Sequence, residues 1–356
     1  MVARSAKSNS KEYRFIFLLL STFIHASISQ TSTQSACYDA NGIAKTCMTY
    51  PKNFALNRNV TATNTCGRPS EVYCQIGANK DKCRTCDASN AANSHPARNM
   101  VDFNNSSNIT WWQSQSWWQT NSIGLSTLSQ PLKVNITINF QKLYLITGSI
   151  RVTFRTVRPK RMIIYRSSDY GKTWTIFQYY AKSCLSAYNL AADPVINNNN
   201  KYLATCTQKF SREQPNAGGS VVFDPRVTRY VVSEYLDVDV QRYLAATDVK
   251  FVLLQPGTDG REYINSSDTL NQYYYAVQDV VINGRCDCNG HAEYCDQING
   301  TELCDCKHFT TGQDCQVCLP LYMNKPWMAG NSTNANECQS MLYFNTNYIE
   351  NKLHQP

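Results

Sequence analysis

Sixteen cysteines carry most of the chemistry this sequence offers. They are Cys37, Cys47, Cys66, Cys74, Cys83, Cys86, Cys184 and Cys206, then Cys286, Cys288, Cys295, Cys304, Cys306, Cys315, Cys318 and Cys338. Thiols bind zinc or cross-link, and Cys315-x2-Cys318 is half of a zinc site by spacing. The even count, in the setting described next, points to disulfides instead. Enzyme signatures are thin. The five histidines are His25 in the leader, His354 in the tail, His95 before a proline, and His291 and His308 between close cysteines. No G-x-S-x-G, P-loop or H-E-x-x-H occurs, so the sequence reads as a non-enzyme.

The compartment follows from the first residues. Arg4, Lys7, Lys11 and Arg14 flank the short apolar run Phe15 to Ile24, and small Ala26, Ser27 and Ser29 follow. That is the layout of a secretory signal peptide over residues 1–29. No later stretch approaches the ~20 apolar residues of a membrane span, and the final ENKLHQP carries no lipid-anchor signal. A secreted product is expected. Sequons at Asn59, Asn104, Asn105, Asn108, Asn135, Asn265, Asn299 and Asn331 fit the same compartment and should lie on the surface.

Charge and cysteine density divide the chain. Residues 286–356 hold three basic and eight acidic side chains, and residues 1–29 four basic and one acidic. With +8 overall, residues 30–285 therefore carry +10, which points to an anionic partner for that segment. From Cys286 to Cys338 there are eight cysteines in 53 residues, too little chain for a large apolar core. A boundary is placed at Arg285/Cys286, giving domains 30–285 and 286–338 and an unstructured tail 339–356; with no Gly/Ser/Pro linker the two should join stiffly.

The elements of the large segment read as β. Val134 to Phe140 alternates, as does Ile150 to Val157; Met162 to Tyr165, Thr173 to Tyr179, Val227 to Ser233, Val249 to Leu254 and Tyr273 to Ile282 follow. Ser168-Asp169-Tyr170-Gly171 is a turn, Ala191 to Lys201 and Gln214 to Gly219 are breaks, and Leu236 to Leu244 holds one or two helical turns. Short strands with such turns predict a β-sandwich.

The spacing C-x-C-x6-C-x8-C-x-C-x8-C-x2-C-x19-C, with Cys288-Asn289-Gly290-His291-Ala292 inside it, resembles a laminin-type EGF-like module. The resemblance implies the pairs Cys286–Cys295, Cys288–Cys304, Cys306–Cys315 and Cys318–Cys338. Upstream, Cys37-Tyr38-Asp39-x2-Gly42-x4-Cys47, Thr65-Cys66-Gly67-Arg68-Pro69, Cys83-x2-Cys86-Asp87, His95-Pro96, Trp111-Trp112-Gln113-Ser114, Arg158-Pro159, Asp169 to Trp174 and Gln178-Tyr179-Tyr180 resemble the laminin N-terminal domain. That implies a mainly β fold, a jelly-roll β-sandwich followed by a small disulfide-rich EGF-like module. Proximity pairs Cys37–Cys47 and Cys184–Cys206, and nesting of Cys66–Cys86 around Cys74–Cys83 is favoured for the other four. Lys325-Pro326-Trp327, Ala335-Asn336-Glu337-Cys338 and Asn104-Asn105 look like netrins. Where netrins carry two further cysteines, this chain has Trp111 and Arg155, a form that looks like laminins. The chain also stops early for netrins, and Gln339 to Pro356 resembles neither of their later modules, so it reads as a truncated form or an intron read-through.

The netrin resemblance implies an extracellular guidance cue that binds transmembrane receptors of the DCC/neogenin and uncoordinated-5 families in axon guidance and cell migration. The alternative is an extracellular matrix protein that binds laminin networks; nucleic acid is a poor partner for a secreted chain. The oxygen-rich loop Asn99 to Thr110 suits calcium, a hard cation. By resemblance it would hold a structural calcium through the side chains of Asp102 and Thr110 and the carbonyls of Asn99 and Gln278. Arg151, Arg155, Arg158, Lys160, Arg161 and Arg166 form a basic run, with Arg158 to Arg161 expected in a solvated turn. Its two readings are a scattered basic face and a heparan sulfate patch.

Overall fold

The computed structural model of the chain describes residues 35–76, 83–102, 109–122, 124, 130–197, 199–212, 217–226, 238–298 and 301–341. The leader, the sequons at Asn104, Asn105, Asn108 and Asn299, the strand expected at Val227 to Ser233 and most of the tail lie outside these residues. From Ala36 onward the chain packs as one unit. Among the described residues no helix is long and apolar enough to cross a membrane.

The large segment contributes β1 (Lys52–Asn53), β2 (Asn59–Ala62), β3 (Glu71–Cys74), β4 (Cys83–Cys86), β5 (Trp112–Gln113), β6 (Val134–Leu145) and β7 (Ile150–Phe154). It continues with β8 (Pro159–Ser167), β9 (Thr175–Ala181), β10 (Thr205–Thr207), β11 (Gly219–Phe223), β12 (Ala245–Pro256) and β13 (Ala276–Cys286). The small segment adds β14 (Cys295–Ile298), β15 (Thr301–Cys304), β16 (Thr310–Thr311) and β17 (Val317–Cys318). A helix, Val238–Leu244, precedes β12 directly.

The main sheet runs β10-β9-β8-β12-β6-β13-β7-β11, with β2 on β6 and with β1 and β5 on β13. Strand β13 meets β6 only through Arg285 and Cys286, but lies along β7 from Val277 to Ile282. The sheet therefore curls there, and its halves enclose one core, giving the sandwich-like mainly β fold. Ile136, Ile138 and Phe140 of β6 share that core with Val152 and Phe154 of β7 and Val280 and Ile282 of β13. Alternation produces this directly, since every second side chain of a strand faces the same way.

Two sequence expectations change. Arg158 to Arg161 is not a solvated turn: β8 begins at Pro159, and Arg158 is 6% exposed. Proline is allowed as the first residue of a strand, where its missing N–H is not required. The break ending at Gly219 is also shorter than expected, because β11 starts there and pairs with β7. The turn after β8 folds around Asp169, whose carboxylate accepts from Thr173 N (2.9 Å), Thr173 Oγ1 (2.6 Å) and Ser167 Oγ (2.7 Å).

All sixteen cysteines are paired. The large segment holds Cys37–Cys47, Cys66–Cys86, Cys74–Cys83 and Cys184–Cys206. The small one holds Cys286–Cys295, Cys288–Cys304, Cys306–Cys315 and Cys318–Cys338. Cys286 ends β13, so the sandwich runs into the small module without a linker. Close approach at that point needs glycine: a Cβ on Gly284 would lie 2.3 Å from Leu145 O and 2.4 Å from the Phe54 ring.

Charges lock the junction. Glu302 on β15 is ion-paired with both Lys52 and Arg58. Burial raises its carboxyl pKa, but hydrogen bonds with Lys52, Tyr144 and Arg58 outweigh this and leave it below the ordinary value. Lys142 takes an inward position on β6 and is 1% exposed. It ion-pairs with Asp314 and reaches Gln313 O (3.3 Å). Burial lowers its pKa to about 8 against the pull of Asp287 and Glu302.

The hairpin closed by Cys37–Cys47 folds over the same module. Cys47 N donates to Gly290 O (3.1 Å), and Thr49 Oγ1 to Cys286 O (3.0 Å). His308 Nε2 contacts Cys37 O at 2.9 Å, His308 Nδ1 faces His291 Nδ1 at 3.0 Å, and His291 Nε2 contacts Met328 O at 3.1 Å. Both rings are fully buried.

Removing the Glu302 carboxylate leaves Arg58 buried without its anion, so Glu302→Ala should cost roughly 3 kcal/mol, read by urea denaturation with disulfides intact. A folded pKa below the unfolded one stabilises above the ordinary value of 4.5, and that contribution is lost as pH falls through the folded pKa. Wild type should therefore lose stability in acid, and the variant should lose less.

Candidate functional site

The loop Asn99 to Thr110, expected to bind a cation, begins within the 3-10 turn Ala97–Met100. Asn99 Nδ2 donates to Trp111 O (3.2 Å), which holds the two ends of the loop together. Thr110 Oγ1 lies 2.9 and 2.7 Å from the two carboxylate oxygens of Asp102. Immediately after, β5 pairs with β13, Trp112 opposite Val277 and Gln113 opposite Ala276. A β-bulge between Val277 and Asp279 interrupts the ladder to β7 at Gln278. Bulges re-aim strand residues and recur beside binding sites.

Asp279 was missed by sequence reasoning. Its carboxyl pKa is raised, first by burial and further by Asp102, against Arg151 and the Val280 N–H. Two carboxylates therefore repel at this point, one from the loop and one from the last strand. The signal in the sequence was its place next to Gln278, which only the bulge makes meaningful. Asp102 and Thr110 are in hydrogen-bond contact, and Asp279 lies close enough for the Asp102 charge to act on it.

Trp111 is held on both faces. The His95 ring stacks on it at 4.2 Å and 23°, and the Arg155 guanidinium lies 4.4 Å from its centroid. Burial, then Arg155, lowers the His95 pKa to about 4, so the imidazole is neutral near pH 7. Trp111 and Arg155, read from the sequence as departures from the netrin pattern, make a cation–π contact.

The basic run does not form one surface. Arg151 and Arg155 belong to β7 and its end, while Lys160, Arg161 and Arg166 lie on β8, in the other half of the curled sheet. Arg166 donates to Ala245 O (2.9 Å) and lies over Phe177 and Tyr243. Burial lowers its pKa. On β8, Lys160 and Arg161 gather with Lys182 around a shallow cavity of about 250 Å³. Among the sequons, Asn59, Asn265 and Asn331 are exposed. Asn135 is not on the open surface, because its place within β6 opposite Val252 leaves it half-buried.

Comparison with known proteins gives matches to both segments. The family profile described as Laminin N-terminal (Domain VI) matches residues 47–284, and that of the Laminin/attractin EGF domain matches residues 286–338. The chain is 36% identical over 308 residues to human laminin subunit gamma-1, covering 85% of this chain and 19% of that protein. It is 35% identical over 309 residues to mouse laminin subunit gamma-3 and 34% identical over 313 residues to a laminin-like protein of Caenorhabditis elegans, again covering 85% and 19%. The chain thus spans about a fifth of the length of these relatives. Among solved structures, a chitosan-binding module from Paenibacillus sp. IK-5 matches at 13% identity, 65% of this chain, 98% of that chain and a TM-score of 0.31.

Taking the guanidinium off Trp111 should weaken the large module. Arg155→Ala is expected to lower its stability by about 1 kcal/mol in equilibrium denaturation, with Arg155→Lys intermediate.

Proposed function

Because the chain belongs to the laminin N-terminal (domain VI) family, we propose that it is a secreted, non-catalytic matrix protein that docks onto other laminin-type N-terminal domains. The observation that carries this reading is the match of both modules, in order, to a family whose matched relatives are laminin subunits and laminin-like proteins. The stiff join at Cys286 supports it, since a surface held in one shape loses less freedom on docking.

A second reading is a netrin-type guidance cue that binds DCC/neogenin and uncoordinated-5 receptors. The Lys325-Pro326-Trp327 segment supports it; Trp327 Nε1 donates to Cys315 O (2.9 Å) and so fastens that segment to the small module. Heparan sulfate as co-ligand is supported by the +10 balance of the large segment and by the group Lys160, Arg161 and Lys182.

We also propose a structural calcium at the Asp102 loop. Asp102 and Thr110 side chains, with the Asn99 and Gln278 carbonyls, would hold it. The ion would supply positive charge between Asp102 and Asp279 and so tie the loop to β13.

Surface binding of the purified chain to a laminin N-terminal fragment and to both receptor ectodomains separates the readings. Laminin binding alone is expected; binding to the receptors alone would replace the matrix reading with guidance. Calcium should raise the melting temperature of wild type but not of Asp102→Ala, and calcium uptake by neither in equilibrium dialysis would remove the ion.

A further inference from the structure

Trp111 borders a cavity of about 370 Å³ between the β3–β4 hairpin, the end of β7 and the chain leading into β13. Tyr73, Trp111 and Tyr274 supply aromatic walls, and Arg84 and Arg155 supply two cations. Among the described residues, none that lines it is acidic. The carboxylate on β3, Glu71, accepts from Ser116 N and Oγ, both at 3.0 Å, and does not line the cavity. Both guanidinium groups act on the same phenol: burial raises the Tyr73 pKa, and Arg84 and then Arg155 pull it back. Neither arginine has an ion-pair partner among the described residues.

The cavity also holds an unused donor. Gln113 is 1% exposed, and its Oε1 accepts from Trp111 Nε1 (3.3 Å), yet its Nε2 has no hydrogen-bond partner. A buried amide donor without a partner is costly and calls for an explanation. The Arg155 guanidinium lies 4.4 Å from the Trp111 centroid, and an arginine that packs on an aromatic face keeps N–H groups able to engage a ligand.

We propose that this cavity binds a terminal acidic sugar, one ring that carries a carboxylate. The carboxylate would sit between Arg84 and Arg155, where planar forks match it with paired hydrogen bonds. A ring hydroxyl would meet the carboxamide of Gln75, which is exposed at the cavity. An acidic peptide side chain would satisfy the arginines but would bring no hydroxyl for that amide. The volume lies at the small end of ligand pockets, which suits the end of a glycan better than a chain running across the surface. A sialic acid end and a uronate end share this chemistry.

The test titrates the purified chain with 3′-sialyllactose, with a uronate-terminated heparin disaccharide, and with lactose as the neutral control. Calorimetry reads affinity, and the Trp111 indole N–H resonance reads the place of binding. Saturable binding of at least one acidic sugar is expected, with no response to lactose; the one that binds identifies the source. Arg84 is exposed on β4, so Arg84→Ala should fold with an unchanged melting temperature and bind at least roughly tenfold more weakly. Arg155→Lys keeps the charge but loses the fork, and should weaken binding as well. Binding of neither acidic sugar, binding that Arg84→Ala leaves unchanged, or equal binding of lactose would each overturn the proposal.

Discussion

Cys286 is at once the last residue of β13 and the first cysteine of the small module, so the hydrogen bonds that hold the strand also fix where the cross-links begin. Everything at the junction depends on this. The small module has too few apolar residues to bury a core alone, and disulfides constrain its chain without choosing its orientation. Orientation comes from the sandwich: Gly284 lets β13 press against Leu145, and Lys52, Arg58 and Lys142 reach across to Glu302 and Asp314. Buried charges of this kind contribute little net stability over apolar side chains, but a wrong partner would be expensive. Their effect is to select one arrangement of the two modules.

The same strand organises the other end. Its bulge at Gln278 sets Asp279 near Asp102, and its pairing with β5 fixes Thr110 and Trp111 beside them. Perturbed pKa values often mark catalysis. Here the shifts of Lys142, His95 and His291 are each caused first by burial, and each group is held in packing or structural contacts. They report how tightly the fold is closed.

The sequence made the sandwich legible where one period ruled. Val134 to Phe140 alternates without interruption, and that stretch is the first half of β6. The strand's continuation to Leu145 was hidden because Lys142 looks like a surface residue, and the groups that bury it lie more than 140 residues later. Arg158 to Arg161 misled for the same reason: charge on a proline-containing stretch reads as a loop until neighbouring strands cover it. The basic run shows a related limit, because consecutive strands of a sandwich can enter different sheets. The loop Asn99 to Thr110 was visible as oxygen-rich residues, whereas Asp279 depends on a bulge, and a bulge leaves no composition of its own. The stacking of Arg155 on Trp111 joins residues 44 positions apart and could not be read from local pattern.

The histidine pair beneath the N-terminal hairpin holds a count of its own. Its three contacts, to Cys37 O, between the two Nδ1 atoms, and to Met328 O, each need one ring proton. Two neutral imidazoles bring only two. The neutral pair is therefore one proton short, and a lone pair on one ring faces another lone pair. Burial lowers the His291 pKa to about 4, which keeps that ring neutral near pH 7. The third proton would complete the network at the cost of a buried positive charge, so hydrogen bonding and desolvation pull this site in opposite directions.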